Sequence, residues 1–325
     1  SGGISDNFAG VFDGQGYTIS NFKVDSTGNS FYAGLFNQVS HGGTIKNLTV
    51  KNATIVGNSM VGAVASSLDD AVIDNCKAID CTLIGVKKVG AVVGYSAGST
   101  VTNNYAENCT VIYSKKEGGE ILGYQNTGST VSNNTANNVS VNQGVAVSSA
   151  DELVALGGTK INGNYILTAD IDMTGKAMKS MEISDGAVVN FDGNGHTISN
   201  LNLGAAKLHG MTGAGNEVAG LFDLSAFATT VSLTVSDLTV KNATVSCSGF
   251  AAAIVGYNSN GGTVITLNNV DVDGATVTAD SVAALVAYST GKVNLNNCDV
   301  KGLTLTGEAG RSEKVGAYIG TANTT

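Results

Sequence analysis

Two kinds of side chain in this sequence could do chemistry by their type and spacing: a pair of carboxylates and a set of recurring tyrosines. Asp170 and Asp172 stand at i and i+2 of a predicted strand, so both lie on one face of it. Their oxygens are candidate ligands for Ca²⁺. Tyrosines also follow a repeated glycine motif, and a row of such rings could stack against a glycan. These candidate ligand-binding residues are Tyr95, Tyr124, Tyr257 and Tyr288.

Each of these patterns also has a purely structural explanation. Asp170 and Asp172 could cap turns and solvate the end of a strand, and the tyrosines could form an aromatic stack inside a corner of the fold. The pairs 87–88 and 115–116, all lysine, recur at a spacing of 28 residues. They could form a basic strip for an acidic glycan, or they could be solvated loop charges. The sequence leaves both explanations open in each case.

No catalytic residues are predicted. A polysaccharide lyase needs a basic residue beside a carboxylate-bound cation, and the chain has a single arginine, Arg311. A glycoside hydrolase needs two carboxylates that converge on one bond. His41, His196 and His209 stand apart from any recognisable nucleophile motif. We therefore predict a protein that is not an enzyme and has no cofactor, with a glycan-active enzyme (polysaccharide lyase or hydrolase) as the alternative.

The elements that must position these residues come from a repeat. The segment 45–54, IKNLTVKNAT, recurs with its first Asn replaced in turn by Asn75, Asn103, Asn133, Asp237, Asn269 and Asn297. The copies are 28, 28 and 30 residues apart in the first half of the chain, and 32 and 28 apart in the second. A second motif, Ala33-Gly34-Leu35-Phe36, recurs in phase with the first. A fixed period of this size is typical of a solenoid.

The composition of the repeat favours β-strands. Val, Ile and Thr dominate it, and apolar residues alternate with polar ones. Each repeat has about three apolar runs separated by Gly, Asn, Ser and Asp, which indicates three strands per coil, with coils stacked in parallel about 4.8 Å apart. We predict an all-β fold, a right-handed parallel β-helix (solenoid) built from two homologous arrays of ~28-residue coils.

The two arrays are copies of each other. The segment 12–21, FDGQGYTISN, returns at 191–200 as FDGNGHTISN. Between them, 149–157 has the pattern of a short helix, with Ser149 at its start, acidic residues in the first turn and Gly157 at its end. Such a helix can cover the end of a solenoid core. We predict a first β-helix array at 1–146, lacking its N-terminal cap, and a second at 147–325 with a cap helix near 149–156.

Asparagine recurs at one position at the end of a strand: Asn21, Asn47, Asn75, Asn103, Asn133, Asn200, Asn269 and Asn297. Asparagine tolerates the left-handed backbone conformation of a sharp bend, and stacked amides can hydrogen-bond to one another. Asn47, Asn52 and Asn242 also begin formal glycosylation sequons. We predict a structural column, because the asparagine persists where the sequon is lost.

Composition limits the partners. A net charge of −9 argues against nucleic acid, whose backbone requires a basic stripe. No stretch is long and apolar enough for membrane insertion of this segment. Cys76, Cys81, Cys109 and Cys298 replace apolar residues of the repeat, so we expect free thiols in the core, with a Cys81–Cys109 disulfide as the alternative.

The Ala33-Gly34-Leu35-Phe36 motif and the run 89–94, VGAVVG, spaced near 28 residues, resemble the GLUG-motif repeat of bacterial (Bacteroidetes-type) cell-surface β-helix proteins. The segment 191–200 is similar to the same proteins, and the resemblance covers nearly the whole chain. It implies a right-handed β-helix, export and an adhesin-like surface role, and it brings no catalytic residues. Ala252 and Ala283 stand where the motif has glycine.

These observations together predict an extracellular cell-surface module, adhesin-like or a rigid spacer. Its expected partner is a glycan, or a surface protein of a host or a bacterium. A self-associating fibre or phage-tail module is a further alternative, because an exposed parallel edge invites end-to-end stacking.

Overall fold

The computed structural model describes residues 3–26, 31–207, 216–224, 230–307 and 314–322. The chain divides into two compact units, Ser1–Ala146 and Val147–Thr325. Regular structure in the described residues is almost entirely β-strand, with a single short helix. The strands pair in parallel with their equivalents in the next coil, except for one antiparallel pair. The predicted parallel β-helix is therefore confirmed.

The strands of the first unit are short and regularly spaced. They are β1 (Ile4–Phe8), β2 (Val11–Asp13), β3 (Thr18–Ser20), β4 (Lys23–Ser26), β5 (Tyr32–Ala33), β6 (Phe36–Ser40), β7 (Thr44–Lys46), β8 (Thr49–Lys51), β9 (Thr54–Gly57), β10 (Met60–Gly62), β11 (Ala65–Asp69), β12 (Val72–Asp74), β13 (Lys77–Ile79), β14 (Thr82–Gly90), β15 (Val93–Ala97), β16 (Thr100–Thr102), β17 (Tyr105–Glu107), β18 (Thr110–Gly119), β19 (Leu122–Gln125), β20 (Thr130–Ser132), β21 (Thr135–Asn137) and β22 (Ser140–Gln143).

Strand β23 (Val145–Val147) follows, and then the helix α1 (Ala150–Leu156). The remaining strands are β24 (Lys160–Ile161), β25 (Gly163–Leu167), β26 (Ile171–Asp172), β27 (Met181–Ile183), β28 (Val188–Asp192), β29 (Thr197–Ser199), β30 (Asn202–Leu203), β31 (Ala206–Lys207), β32 (Glu217–Ala219), β33 (Phe222–Leu224), β34 (Ser232–Lys241), β35 (Thr244–Ser246), β36 (Phe250–Ala252), β37 (Val255–Asn258), β38 (Val264–Asp273), β39 (Thr276–Ala279), β40 (Ser281–Ala283), β41 (Val286–Ser289), β42 (Lys292–Asn296), β43 (Val300–Lys301), β44 (Thr304–Gly307), β45 (Lys314–Gly316) and β46 (Ile319–Ala322).

Each coil of the first unit contributes to four parallel sheets, not to the three predicted. Strands β11, β12, β13 and β14 follow one another in one coil, and each pairs with the equivalent strand of the next coil. The fourth strand arises because the motif at 45–54 contains two sharp bends. Asn47 has φ 55° and Asn52 has φ 50°, so the motif is cut into strands of only three residues.

The eight asparagines predicted at bends all have the left-handed conformation, with φ between 51° and 59°. They form two columns, however, and not one. Asn75 Nδ2 donates to Asn47 Oδ1 at 2.8 Å in the first column, whereas Asn52 Nδ2 donates to Asn21 Oδ1 at 2.6 Å in the second. Asn200 also lies at the second kind of bend. Ser199 pairs in register with Lys241, and the Asn200 N–H donates to the Lys241 carbonyl at 2.8 Å, so Asn200 is equivalent to Asn242.

Each unit has its own apolar core, formed by the inward residues of its coils. The core of the first unit also contains one fully buried amide, Asn104, which is 1% exposed. Its Oδ1 accepts a hydrogen bond from the Cys76 backbone N–H at 2.9 Å. Its Nδ2 donates to Asn134 Oδ1 at 2.9 Å and to the Ile73 carbonyl at 3.3 Å. This short internal ladder satisfies polar groups that would otherwise be buried without partners.

The cysteines lie where the repeat predicted core residues. Cys76, Cys81 and Cys109 are buried in the first unit and Cys247 in the second, while Cys298 is half-buried. All five are free thiols in this structure.

The glycine motif forms a tight corner between two strands of one coil. A Cβ atom on Gly90 would lie 2.2 Å from the Val93 carbonyl oxygen and 2.4 Å from the Gly123 nitrogen. A Cβ on Gly94 would lie 2.5 Å from the Val61 nitrogen. Backbone therefore packs directly on backbone at this corner, both within a coil and between neighbouring coils, which is the physical reason for the repeated glycines.

Helix α1 confirms the predicted cap. Ser149 Oγ accepts from the Glu152 backbone N–H at 3.3 Å, and Glu152 Oε2 accepts from the Ser148 N–H at 2.7 Å. This is a reciprocal arrangement of the capping-box type. Leu153 is fully buried and packs into the core of the second unit. No helix in the described part of the chain is long and apolar enough to cross a membrane.

Candidate functional site

The first two predicted tyrosines form a stacked pair on the first unit. Tyr95 in β15 and Tyr124 in β19 are partners in register on adjacent coils. Their ring centroids are 5.9 Å apart and the ring planes differ by only 9°. Both side chains are half-buried and lie outside the apolar core. Each follows the second glycine of the corner motif, so the corner places both rings side by side.

Two neighbouring side chains hold this pair in place. Lys88 Nζ lies 4.3 Å from the Tyr95 ring centroid and 5.1 Å from the Tyr124 centroid, a favourable cation–π arrangement. Asn126 Nδ2 donates a hydrogen bond to Tyr95 Oη at 2.7 Å. We call these four residues the Lys88 platform. Its rings are oriented before any ligand arrives.

The other two predicted tyrosines form a second pair with different surroundings. The Tyr257 and Tyr288 rings are stacked with centroids 4.9 Å apart and planes 13° apart. Phe250 packs on both, with centroid distances of 4.6 Å and 5.1 Å. Tyr257 is only 9% exposed, and burial raises its pKa, with Tyr288 and Asp223 adding to the shift. This cluster matches the aromatic corner stack that was the structural alternative.

The two tyrosine pairs belong to two different sheets, one in each unit. In the first unit, the positions equivalent to Tyr95 in the two preceding coils hold Ser67 and Gln38. The aromatic surface therefore spans only the two coils of Tyr95 and Tyr124. The two tyrosine pairs differ in the residue that contacts their rings. It is Lys88 in the first unit and Phe250 in the second.

The two candidate calcium ligands are each engaged by hydrogen-bond donors. Asp170 Oδ1 accepts from the Thr197 N–H at 2.8 Å and lies 3.3 Å from His196 Nδ1. The Thr197 hydrogen bond is the main reason that the pKa of Asp170 is lowered, and His196 lowers it further. The arrangement matches turn capping.

The second candidate, Asp172, has its own set of donors. Its Oδ1 accepts from Asn200 Nδ2 at 2.8 Å, and from the Thr174 N–H and Oγ1 at 3.0 Å and 2.7 Å. These hydrogen bonds, that of Asn200 first, lower the pKa of Asp172. Within the described ranges, no three His, Cys, Asp or Glu side chains come together as a group that could hold a metal ion.

An open depression of about 500 Å³ lies beside Asp172 in the second unit. It is lined by Met173, Thr174, Gly175, Lys176, Ala177, Asn200, Asn202 and Thr244. Its polar groups are largely paired with each other or with neighbours: Asn200 Nδ2 donates to Thr174 Oγ1 at 3.0 Å, and Lys176 pairs with Asp151 at 2.5 Å.

The lysine pairs lie in strands and not in loops. Lys87 in β14 is the register partner of Lys116 in β18, one residue beyond the 28-residue spacing. The pairing shifts between Gly85 and Lys87, so one of the two extra residues of the 30-residue coil is taken up at this point. Lys87, Lys115 and Lys116 are exposed, whereas Lys88 of the platform is half-buried.

Of the remaining residues singled out in the sequence, Arg311 and His209 lie outside the described residues. His41 occupies an exposed bend with φ 53°. The role of Lys88 was not predicted, because it lies in a different strand from the tyrosines and outside the glycine motif.

No family model matches the chain, and no solved structure matches it. Halomucin of Haloquadratum walsbyi (strain DSM 16790 / HBSQ001) is 45% identical to this chain over 60 residues. The match spans 18% of this chain and 1% of the length of halomucin. The similarity is thus limited to a short stretch, and the GLUG-motif resemblance stays a prediction.

Proposed function

We propose that this chain is a non-enzymatic, extracellular module of a cell-surface protein that binds a glycan or a protein partner in an adhesin-like role. The β-helix would act as a rigid support for that surface. We also propose that the chain is related to the GLUG-motif proteins of bacterial cell surfaces, on the strength of the repeated corner motif. The short similarity to halomucin is compatible with a surface module.

The observation that carries the proposal is the stacked, half-buried pair of Tyr95 and Tyr124. Aromatic rings offer a large apolar face and a polar hydroxyl group at the same time, which suits a sugar ring with its C–H face and its hydroxyls. Because Lys88 and Asn126 already fix the rings, a ligand would not have to order them on binding. A preorganised surface of this kind favours affinity.

The proposed lack of enzymatic activity is supported by how the candidate carboxylates are used. A hydrolase of the common type needs two carboxyl groups that flank one glycosidic bond. Asp170 and Asp172 instead accept hydrogen bonds from the donors of adjacent coils. Both are engaged in shaping bends of the coil.

The test is a glycan-array binding experiment on this chain, with mass spectrometry of each bound glycan after incubation. The informative variant is Tyr124→Ala, which removes one ring of the platform. The matched control is Tyr17→Ala, which removes a tyrosine that is 73% exposed on the same unit. We expect binding without any cleaved product, loss of binding in Tyr124→Ala and unchanged binding in Tyr17→Ala.

Other outcomes contradict separate parts of the proposal. Cleaved or unsaturated products would contradict the non-enzymatic role. Binding that survives in Tyr124→Ala would contradict the assignment of the platform. No binding to any glycan would contradict the glycan part and favour the rigid spacer or a protein partner.

A further inference from the structure

We propose that the Lys88 platform binds an anionic glycan, a sugar chain that carries carboxylate or sulfate groups, in preference to a neutral one. This inference rests on the proposed function, because it assumes that the platform binds a glycan. It adds the chemical class of the ligand.

The first step in the argument is the local charge. The chain as a whole carries a net charge of −9, which would repel an anion. Around the platform, however, four lysines are concentrated on two neighbouring strands: Lys87, Lys88, Lys115 and Lys116. The acidic residues that follow them are Glu117, which is half-buried, and Glu120, which is exposed. Four lysines against two glutamates leave a local excess of two positive charges.

The second step is that these lysines form no salt bridge within the described residues. Lys87 and Lys116 are direct register partners, and neighbouring strands lie only about 4.8 Å apart. Like charges opposite each other in a sheet are destabilising. In the described part of the chain, none of the four lysines has a carboxylate within ion-pair distance, whereas Lys46, Lys51 and Lys301 each have one. A bound anion would relieve this repulsion.

The third step is the position of the Lys88 ammonium group. It lies over both tyrosine rings, at 4.3 Å and 5.1 Å from their centroids. An ammonium group has three N–H donors, and contact with the rings uses none of them in a hydrogen bond to an oxygen atom. A sugar ring placed on the exposed part of the tyrosines would bring a carboxylate or sulfate oxygen within reach of these donors. The platform therefore combines a stacking surface with a cation at its edge.

The second unit provides an internal comparison. Its tyrosine pair has Phe250 in contact with both rings, in place of the lysine. Tyr257 there is 9% exposed and offers little ring surface. We therefore expect the anionic glycan at the first unit and not at Tyr257 and Tyr288.

The experiment uses the full chain and three soluble probes of matched length: an oligogalacturonate, a sulfated dextran oligosaccharide and a neutral dextran oligosaccharide. Affinity is measured by isothermal titration calorimetry at low and at high salt. We expect at least one anionic probe to bind about ten-fold or more tightly than the neutral one, with an affinity that falls as salt screens the charges. The anionic probe that binds distinguishes a carboxylate from a sulfate as the recognised group.

Three variants locate the binding. Lys88→Met keeps an unbranched side chain of similar length but removes the charge over the rings. The double variant Lys87→Gln/Lys116→Gln changes only exposed side chains. Each should weaken binding of the anionic probe by about ten-fold. Lys77→Gln makes the same charge change at an exposed residue of a different sheet, β13, and should leave affinity within about two-fold. Circular dichroism confirms that each variant is folded.

The inference and the proposed function fail in different ways. Equal, salt-insensitive binding of the neutral probe would overturn the anionic class and leave glycan binding intact. Anion binding that is weakened equally by Lys77→Gln would mean non-specific attraction and would also overturn the inference. No binding to any probe would overturn it as well, while the proposed function is judged separately by the array and the Tyr124→Ala variant.

Discussion

Asparagine side chains have two distinct roles in this chain. At the bends, Asn47 and Asn52 adopt the left-handed conformation and hydrogen-bond to the asparagines of neighbouring coils. Inside the first unit, Asn104 accepts from the backbone of one coil and donates to a side chain of the next. The first role is on the surface, and the second is in the core.

Replacing Asn104 by alanine should destabilise the first unit. The Cys76 N–H would lose its acceptor in a buried position, at a cost of about 1–3 kcal/mol. Urea unfolding followed by circular dichroism measures the change. The control is Asn137→Ala, an exposed asparagine that donates only a 3.3 Å hydrogen bond to Glu107 and should change the free energy of unfolding by less than about 0.5 kcal/mol. Equal effects of the two changes would contradict the role given to the internal amide.

We expect Glu217 to make the stability of the second unit depend on pH. Its carboxylate accepts from Lys207 Nζ at 2.6 Å, and from the Ser248 Oγ and N–H at 2.8 Å and 3.1 Å. Lys207 and then Ser248 lower its pKa from 4.5 to about 2. Because the folded-state pKa is depressed, the stabilisation is complete above about pH 4.5 and is lost as the pH falls toward 2.

Urea unfolding at several pH values tests this prediction, with Glu217→Gln for comparison. The glutamine cannot titrate, so the difference in free energy of unfolding between wild type and variant should be largest near neutral pH. It should shrink as the pH falls from about 4.5 to about 2. A difference that stays constant over this range would mean that Glu217 titrates normally in the folded chain.

At the residue scale, the sequence predicted a conformation that one residue type favours by itself. It did not predict contacts between residues of different strands. The left-handed asparagines were predictable because asparagine itself favours that conformation. The inward position of Asn104 was not predictable, since the equivalent positions hold Leu48 and Cys76 and a polar residue there breaks the pattern. The contrast between the two tyrosine pairs depends on Lys88 and Phe250, which reach the rings from another strand.

The corner with its two glycines is the element that defines this solenoid. Strands β14 and β15 meet there at such close range that a Cβ on Gly90 would collide with backbone atoms. In the second unit Ala252 and Ala283 occupy equivalent positions and are fully buried. The corner of the second unit therefore accommodates a Cβ atom at these positions, whereas the corner at Gly90 does not.

We predict that Gly90→Ala destabilises the first unit by about 1–3 kcal/mol or more, because rigid backbone has to move. The control is Gly42→Asn. Gly42 has φ 78°, a conformation that asparagine tolerates better than other residues, and a Cβ there would meet nothing within 4 Å. That change should cost less than about 1 kcal/mol. Thermal unfolding monitored by circular dichroism separates the two, and a smaller effect of Gly90→Ala would refute the packing argument.

The strand order was largely predictable from the repeat, because a one-coil shift places equal motifs in register. The number of strands per coil was not. The first bend of the motif at 45–54 was recognised, but the second, at Asn52, lies only five residues later. Three-residue strands between two such bends are too short to show the alternation by which strands are recognised in a sequence.

At the scale of the whole molecule, the chain consists of two units with separate apolar cores. The buried cysteines are distributed between them: Cys76, Cys81 and Cys109 in the first, and Cys247 in the second. Burial raises the pKa of both Cys76 and Cys247 to about 11. Their reactivity can therefore report the unfolding of each unit.

We predict that iodoacetamide at neutral pH modifies Cys298 first in the native protein, because it is only half-buried. The four buried thiols should stay protected until their own unit unfolds, because burial keeps the reagent from their sulfur atoms. Pulse labelling along a urea gradient, read by peptide mass spectrometry, gives one labelling midpoint for each unit. Native-state labelling of Cys76 or Cys247 as fast as Cys298 would show that the core is open.

The sheet accommodates one extra residue between Gly85 and Lys87. This bears on which insertions and deletions the gene can tolerate. A coil contacts mainly the coils directly above and below it, so copying or deleting a whole repeat leaves the remaining contacts intact. Each event would lengthen or shorten one unit by about 4.8 Å. Smaller insertions can be absorbed where the register already slips. The length of a unit can thus change in fixed steps while its corners stay the same.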